Sequence, residues 1–325
     1  MNVMITGGAG FLGLRLARAL LRDGLDGRPV GRLTLVDRTA PRDLIDGRVC
    51  AMVGDIADHA FVASLPVAEC EVLYHLAAVV SGEAEDNFDL GMRVNVDAAR
   101  LLLECARASG HRPRLVFTSS VAVFGPLAAG EEIDDRTAVS PRSSYGTEKA
   151  IAELLLQDYA RRDFIDGVVL RLPTISVRPG RPNQAASSFA SGIVREPLAG
   201  IEARCPVPAA TRLWLLSPRR ATEALMLAVE LPSAKLAEGR ILNLPGISVT
   251  AGEMVETLAA IAGRAALDRV RWEPDPAIER IVASWPPRWD DSRARALGFR
   301  GDSDFAAIVR AYIEDDMQAT TPLDA

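Results

Sequence analysis

Tyr145 precedes Lys149 by four residues in SSYGTEK (143–149), in a chain with only four tyrosines and two lysines. In a helix beginning near Ser144 the two side chains stand one turn apart on one face. A phenol titrates at about 10 in water, too high to act as a base at neutral pH. An ammonium group beside it favours the phenolate and lowers that value. Such a pair can take the proton from a hydroxyl while its carbon is oxidised, or return one to a carbonyl. Ser120 ends the run LVFTSS (115–120) and can hydrogen-bond the same substrate oxygen. Taken singly, these residues also fit an exposed helix surface and an ordinary strand-end turn.

Oxidation needs an electron acceptor, and the first thirteen residues supply a place for one. NVMIT (2–6) reads as a strand, and TGGAGFLG (6–13) as a glycine turn that opens a helix with Leu12, Leu16, Ala19 and Leu20 on one face. Gly7 permits a tight turn, Gly10 lets backbone approach a pyrophosphate, and Gly13 lets the helix sit close to the sheet. Phe11 and Leu12 carry the N–H donors of the first helical turn towards the phosphates. RLTLVD (32–37) ends in Asp37, 24 residues after Gly13, where a carboxylate accepts from both adenosine ribose hydroxyls and repels a 2′-phosphate. That pattern points to NAD over NADP, although Arg38 could pair with such a phosphate. Asp55 and Ile56 follow a third strand, VCAMV (49–53), and suit the adenine. An N-cap role for Asp55 on a helix over 56–65 fits the same residues. Leu76, Ala77 and Ala78 follow a fourth strand (71–77), small enough for backbone to lie against a dinucleotide.

Two further strands are expected at 115–120 and 167–172, apolar on both faces like the others. That is the pattern of a parallel sheet covered on each side by helices. The expected fold is α/β: a Rossmann-type doubly wound parallel sheet over residues 1–172, followed by a smaller, mainly substrate-binding region over 173–325. Elements from about 212–245 are expected to pack back onto the core. Residues 173–192, rich in Pro, Gly, Ser and Arg, read as a long ordered loop or lid. Ligands of an open parallel sheet lie beyond the carboxyl ends of its strands, where the glycine turn and Ser120 both fall.

Composition removes other classes. A net charge of −6 argues against a nucleic-acid binder. No apolar run reaches membrane-spanning length, and the N-terminus does not resemble a secretory signal. Cys50, Cys70, Cys105 and Cys205 are scattered, which suits reduced thiols and a cytoplasmic location. His59, His75 and His111 give no metal-ligand spacing, so no metal is expected, and His75 reads as structural.

TGGAGFLG, GDI (54–56), HLAA (75–78), TSSVAVFG (118–125) and YGTEK (145–149), in that order and spacing, resemble the extended short-chain dehydrogenase/reductases. The resemblance covers essentially the whole chain. It implies bound NAD and a catalytic set of Ser120, Tyr145 and Lys149, with Lys149 also reaching the nicotinamide ribose. It makes Asn95, in RVNVDAAR, a helix asparagine that supports the site. It also implies a dimer through the helices near 88–108 and 147–161. Stretches 77–100, 171–200 and 271–290 resemble members of the family that oxidise a four-carbon sugar acid to its keto acid with NAD. Nucleotide-sugar epimerases of the family usually carry Tyr where this chain has Phe124 and Asn where it has Thr174; epimerisation stays open as the alternative, as does a non-catalytic NAD(H) sensor.

A small carboxylate calls for a fixed guanidinium. Arg178, Arg181 and Arg195 lie in the lid and Arg212 in the strand-like TRLWLL; Arg178 and Arg212 are preferred. Ser81, Ser187 and Ser188 could bind hydroxyls. Pro173 and Thr174 follow the sixth strand and should touch the nicotinamide end.

Overall fold

Central strands that are apolar on both faces need two covers, and the chain supplies them alternately. The structure, a computed structural model, describes residues 1–42, 44–126 and 131–317; the last eight residues of the expected 173–325 region lie outside them. The first half runs β1 (Asn2–Thr6), α1 (Phe11–Asp23), β2 (Arg32–Asp37), β3 (Val49–Val53), α2 (His59–Ala63), β4 (Val72–His75), α3 (Ser81–Asp86) and α4 (Phe88–Gly91). A π-helical stretch (Met92–Asp97) leads into α5 (Ala98–Ser109), β5 (Arg114–Ser120), α6 (Ser144–Arg161) and β6 (Asp166–Leu172).

Seven strands pair in the order β10-β6-β5-β4-β1-β2-β3, where β10 is Ile241–Asn243, and every pairing is parallel. Successive residues of a strand enter opposite layers. Val3, Ile5, Leu33, Leu35, Val116 and Val168 pack under α1, with Leu16 and Leu20. Met4, Val36, Leu73, Leu115, Phe117 and Val169 pack on the other side, with Val62, Leu102, Leu103 and Leu156 of α2, α5 and α6. β3 departs from the two-sided pattern: it is the edge strand, and Val53 is 54% exposed.

The second half runs β7 (Thr174–Ile175), α7 (Phe189–Leu198), β8 (Ala203–Cys205), β9 (Arg212–Leu216), α8 (Pro218–Glu230), β10, β11 (Ile247–Thr250), α9 (Ala251–Ala262), α10 (Arg264–Leu267), β12 (Val270–Trp272), α11 (Pro276–Ala283), α12 (Ser292–Ala296) and α13 (Phe305–Tyr312). Helix starts are well signposted. Ser217 caps α8 with Pro218 in its first turn, and Thr250 with Glu253 forms a reciprocal capping box on α9. β10 joins the main sheet, and Ala221, Leu225 and Ala228 of α8 enter the same layer as α1. β9 does not: it pairs with β7 and β11 in a separate sheet. Beside that sheet a second core gathers Val177, Phe189, Ile193, Leu213, Val249, Met254, Leu258 and Ile308.

The chain moves outward from β1 through β2 and β3, then crosses to the other side of β1 to lay down β4. The carboxyl ends of β1 and β4 therefore border a crevice, the place where such sheets hold ligands.

Candidate active site

A cleft of about 400 Å³ opens at that crevice. Its floor is the glycine turn. Gly7 has φ +72°, and a Cβ there would lie 2.8 Å from the Ala77 backbone nitrogen, so the turns after β1 and β4 are in contact. A Cβ at Gly13 would lie 2.1 Å from the Gly7 carbonyl oxygen, which explains how closely α1 follows the turn. Gly10 is the N-cap of α1 and no side chain caps it, leaving first-turn N–H donors for an anion. Asp37 accepts from Ala9 N at 3.1 Å and Thr39 N at 3.3 Å, one bond on each oxygen. Its remaining lone pairs face a cleft that Arg38 also borders. This cradle fits a dinucleotide: small residues at the floor, free donors at a helix end, and a carboxylate at the tip of β2. Asp55 is not the cap of a helix over 56–65, because α2 starts at His59 and Asp58 caps it. Asp55 accepts from Ala57 N and, with Ile56, lines the cleft.

The opposite rim carries the reactive side chains. Ser143 caps α6 by accepting from Gly146 N at 3.2 Å. A Cβ at Gly146 would lie 2.1 Å from the Ala122 carbonyl oxygen, so the first turn of α6 can press against the turn after Ser120. That contact brings the Tyr145 phenol into a hydrogen bond with Ser120. Ser120 also accepts from Ala122 N. Tyr145, Lys149, Ser120, Pro173, Thr174 and Arg178 all border the cleft, as do Gly7, Gly10, Phe11, Leu12, Gly13, Leu76, Ala77, Ala78 and Ser81.

Lys149 meets more than the phenol. Lys149 is fully buried; its Nζ donates to the Thr118 carbonyl at 3.0 Å and sits 4.7 Å from the centre of the Phe117 ring. It is also 5.7 Å from the centre of the Tyr145 ring. Burial pushes Tyr145 up to about 12; the Ser120 hydrogen bond pulls it down, Glu148 adds to the rise, and Arg178 is the cation that opposes it. Burial likewise pushes Lys149 down to about 8 against the pull of Glu148 and Glu153. His75 is a structural histidine: its Nδ1 meets Thr6 Oγ1 at 2.7 Å, and burial, helped by the Lys149 charge, lowers it to about 3.

Two residues expected at the ligand are elsewhere. Arg212, at the outward end of β9, is 44% exposed, donates to the Ser248 carbonyl and faces Glu253 at 3.7 Å. Asn95 does not border the cleft. Its Oδ1 accepts from Val79 N at 2.9 Å, and its Nδ2 donates to the Val79 carbonyl and to Glu148 Oε2 at 2.6 Å. It braces the Val79 wall and α6. Asn95 lies in the π-helical stretch and is buried there between Val94 and Val96. Ser187 borders the cleft, whereas the Ser188 hydroxyl accepts from Asn183 N. Arg195 is buried beneath the lid, donating to the Arg178 carbonyl at 2.7 Å and pairing with Glu196. Arg178 itself donates to Asn183 Oδ1 at 2.9 Å and forms no ion pair among the described residues. Burial, then the nearby Arg195 charge, depresses its guanidinium, and Tyr145 opposes that. The sequence reading missed Val79, Val80, Glu83, Ile175 and Ala185, and also Trp285, which follows α11.

Residues 3–209 match the family described as NAD dependent epimerase/dehydratase. The chain belongs to that family. It is 57% identical to a D-erythronate dehydrogenase of Cupriavidus necator over 97% of this chain and 98% of that protein. It is 45% identical to a D-erythronate dehydrogenase of Haemophilus influenzae, over 98% of this chain and the whole of that one. A solved structure described as the nucleoside-diphosphate-sugar epimerase from Agrobacterium tumefaciens superposes with a TM-score of 0.92 at 44% identity, covering 98% of this chain and 95% of that one.

Proposed function

We propose that this chain is a D-erythronate dehydrogenase, an NAD-dependent oxidoreductase that converts a four-carbon sugar acid to its keto acid. The observation that carries the chemistry is one cleft bordered by a phenol, a serine and an unpaired guanidinium: Tyr145, Ser120 and Arg178. Full-length identity to two dehydrogenases of this name supports the substrate. Bound NAD supplies the oxidant for the substrate carbon. Gly7, Gly10, Phe11, Leu12 and Gly13 would hold its pyrophosphate, Asp37 its adenosine ribose, and Asp55 and Ile56 its adenine. Leu76, Ala77, Ala78, Lys149 and Pro173 would border the nicotinamide half.

Arg178 takes the substrate carboxylate, a charge-assisted contact that a partly buried guanidinium held by Asn183 can make. Ser120 donates to the hydroxyl oxygen at the reacting carbon. Tyr145 accepts the hydroxyl proton, and the Arg178 and Lys149 charges on either side of it favour the phenolate needed for that step. Lys149 holds the ammonium charge against the Thr118 carbonyl, beside the same oxygen. Thr174 walls the substrate side, and Ser81, Ser187 and Glu83 are placed for the remaining hydroxyls. In this division of labour residues 1–172 hold most of the cofactor, and the substrate wall is shared between them and Thr174, Arg178 and Ser187.

The epimerase reading has one observation in its favour, the description of the Agrobacterium structure. It is tested directly: D-erythronate and free NAD should give stoichiometric NADH absorbance. Turnover of a nucleotide sugar without net NADH, and none with the acid, would reverse the assignment.

We also propose a homodimer, because Phe88 on α4 and Leu154 on α6 are 60% and 62% exposed. Sedimentation of the wild-type protein against Leu154→Glu tests this. All four cysteines are free, which supports a reducing compartment, the cytoplasm. No helix among the described residues is long and apolar enough to cross a membrane.

A further inference from the structure

Gly82 is a glycine in the first turn of a six-residue helix, α3, where alanine is the better helix former. Its backbone conformation does not call for glycine, since it is not in the left-handed region. Its environment does. A Cβ at Gly82 would lie 2.0 Å from the carbonyl oxygen of Gln184, which belongs to the lid. One residue earlier, buried Ser81 accepts from the Ala186 backbone nitrogen at 3.0 Å. The turn after β4 and the lid, about a hundred residues apart in sequence, are therefore seated on one another at two adjacent points.

Those two points flank the substrate end of the cleft. Ser81 and Glu83 border it from one side, Ala185 and Ser187 from the other. The seat also reaches Arg178. Asn183, one residue before Gln184, accepts from Arg178 Nη2 at 2.9 Å and from Ala185 N at 3.2 Å. The span from the oxygen held by Ser120 and Tyr145 to the guanidinium that takes the carboxylate thus depends on how closely lid and turn approach.

We propose that Gly82, with Ser81, sets the chain length of the sugar acid that the enzyme accepts, by letting the lid seat against α3. Gly82 is a positioning residue that touches no substrate. The inference rests on the dehydrogenase reading and adds to it a physical limit on substrate length. A side chain at position 82 lifts the lid, moves Arg178 away from the reacting carbon, and favours longer acids over shorter ones.

The test is a series of aldonates of four, five and six carbons, assayed with NAD on wild type, Gly82→Ala and Ser81→Ala. For Gly82→Ala the KM for the four-carbon acid should rise about 10-fold or more, the scale of a misfit of one methylene in a pocket. The KM for NAD should stay within about 2-fold, and the ratio of kcat/KM for the longer acids to that for the four-carbon acid should climb about 10-fold. Ser81→Ala should move that ratio the same way by less. Loss of a direct hydrogen bond from Ser81 would instead weaken every acid equally. An unchanged length ratio in both variants, or an NAD KM that rises in step with the acid KM, overturns the proposal. Should Gly82→Ala fail to fold, the Ser81→Ala ratio decides alone. A wild type inert towards every acid would overturn the dehydrogenase reading and this inference together, whereas an active wild type with an unmoved ratio overturns only the inference.

Discussion

The two ends of the cleft are built by different means. The cofactor end is backbone: strand tips registered by a parallel ladder, with glycines where chain segments cross. The substrate end is side chain and loop. The lid meets the turn after β4 through the single hydrogen bond from Ala186 N to Ser81, and it holds Arg178 through another, to Asn183. A ladder of shared bonds distributes any one loss, whereas a single clasp does not. Changes at the substrate end should therefore move KM for the acid without touching NAD, and changes at the cofactor end should do the reverse. Tyr145 and Lys149 sit at the seam and provide the sharpest break of the pattern.

The largest effect is expected at Tyr145→Phe. Losing the proton acceptor should lower kcat by about 10²- to 10⁴-fold, the usual worth of a positioned acid or base. NAD affinity, read by fluorescence titration, should change by less than about 2-fold, because none of the phosphate or ribose contacts is altered. Equal loss of cofactor affinity would move Tyr145 to the cofactor end of the comparison.

Lys149→Met should lower both kcat and NAD affinity, and it should raise stability. A buried ammonium with one carbonyl acceptor costs the fold free energy. Its value in the folded protein, about 8, is below the ordinary 10.5. Below pH 8 both states hold the proton and the full penalty stands. Between 8 and 10.5 the unfolded chain binds more protons than the native one, so wild-type stability rises with pH there. The variant should melt a few degrees higher at pH 7, and the gap should close towards pH 10.5. A variant that melts lower at pH 7 would mean that the ammonium is well solvated by its surroundings.

Arg178→Ala belongs to the substrate end. Removing a charge-assisted contact to the carboxylate should raise KM for the acid by about 10- to 100-fold, with NAD unaffected. A second readout separates anchoring from electrostatics. Arg178 opposes the rise of the Tyr145 phenol, so its loss lifts that phenol further. The increase of kcat with pH in the oxidative direction should shift to higher pH. A raised KM with an unmoved pH profile would leave Arg178 as an anchor alone.

How much of this could be read beforehand also follows the division. The glycine turn, Asp37, the strand tips and the Tyr145/Lys149 spacing are local patterns, each set by a few adjacent residues. Lys149 is legible from its spacing to Tyr145, but the β5 carbonyl that holds its Nζ is not, because spacing along α6 cannot reveal a contact to another strand. Asn95 is read as a support of the site, but its partners, the Val79 backbone and Glu148, are not legible, because they come from other segments of the chain. Arg212, in a strand-like run, is preferred as a carboxylate partner because a strand alone does not say which way its ends face. Pairing of β9 with β11 carries it towards Glu253 instead. Trp285 and Glu83 had no motif to announce them, since only the folded chain brings them to the cleft.

The smallest effect is expected at Asp37, and it tests the backbone-built end. Both carboxylate oxygens already hold backbone N–H groups of neighbouring turns, so the side chain is part of the cradle as well as a partner for the ribose. Asp37→Ala should weaken NAD by a few fold and relax the preference for NAD over NADP by about 10-fold, by removing the repulsion of a 2′-phosphate. Arg38, which borders the same cleft, would then be free to pair with that phosphate. The double variant Asp37→Ala with Arg38→Ala should lose the gain in NADP and keep the loss in NAD. If the single variant changes neither preference, discrimination rests on the shape of the turn after β2, and the carboxylate serves chiefly to hold Ala9 and Thr39 in place.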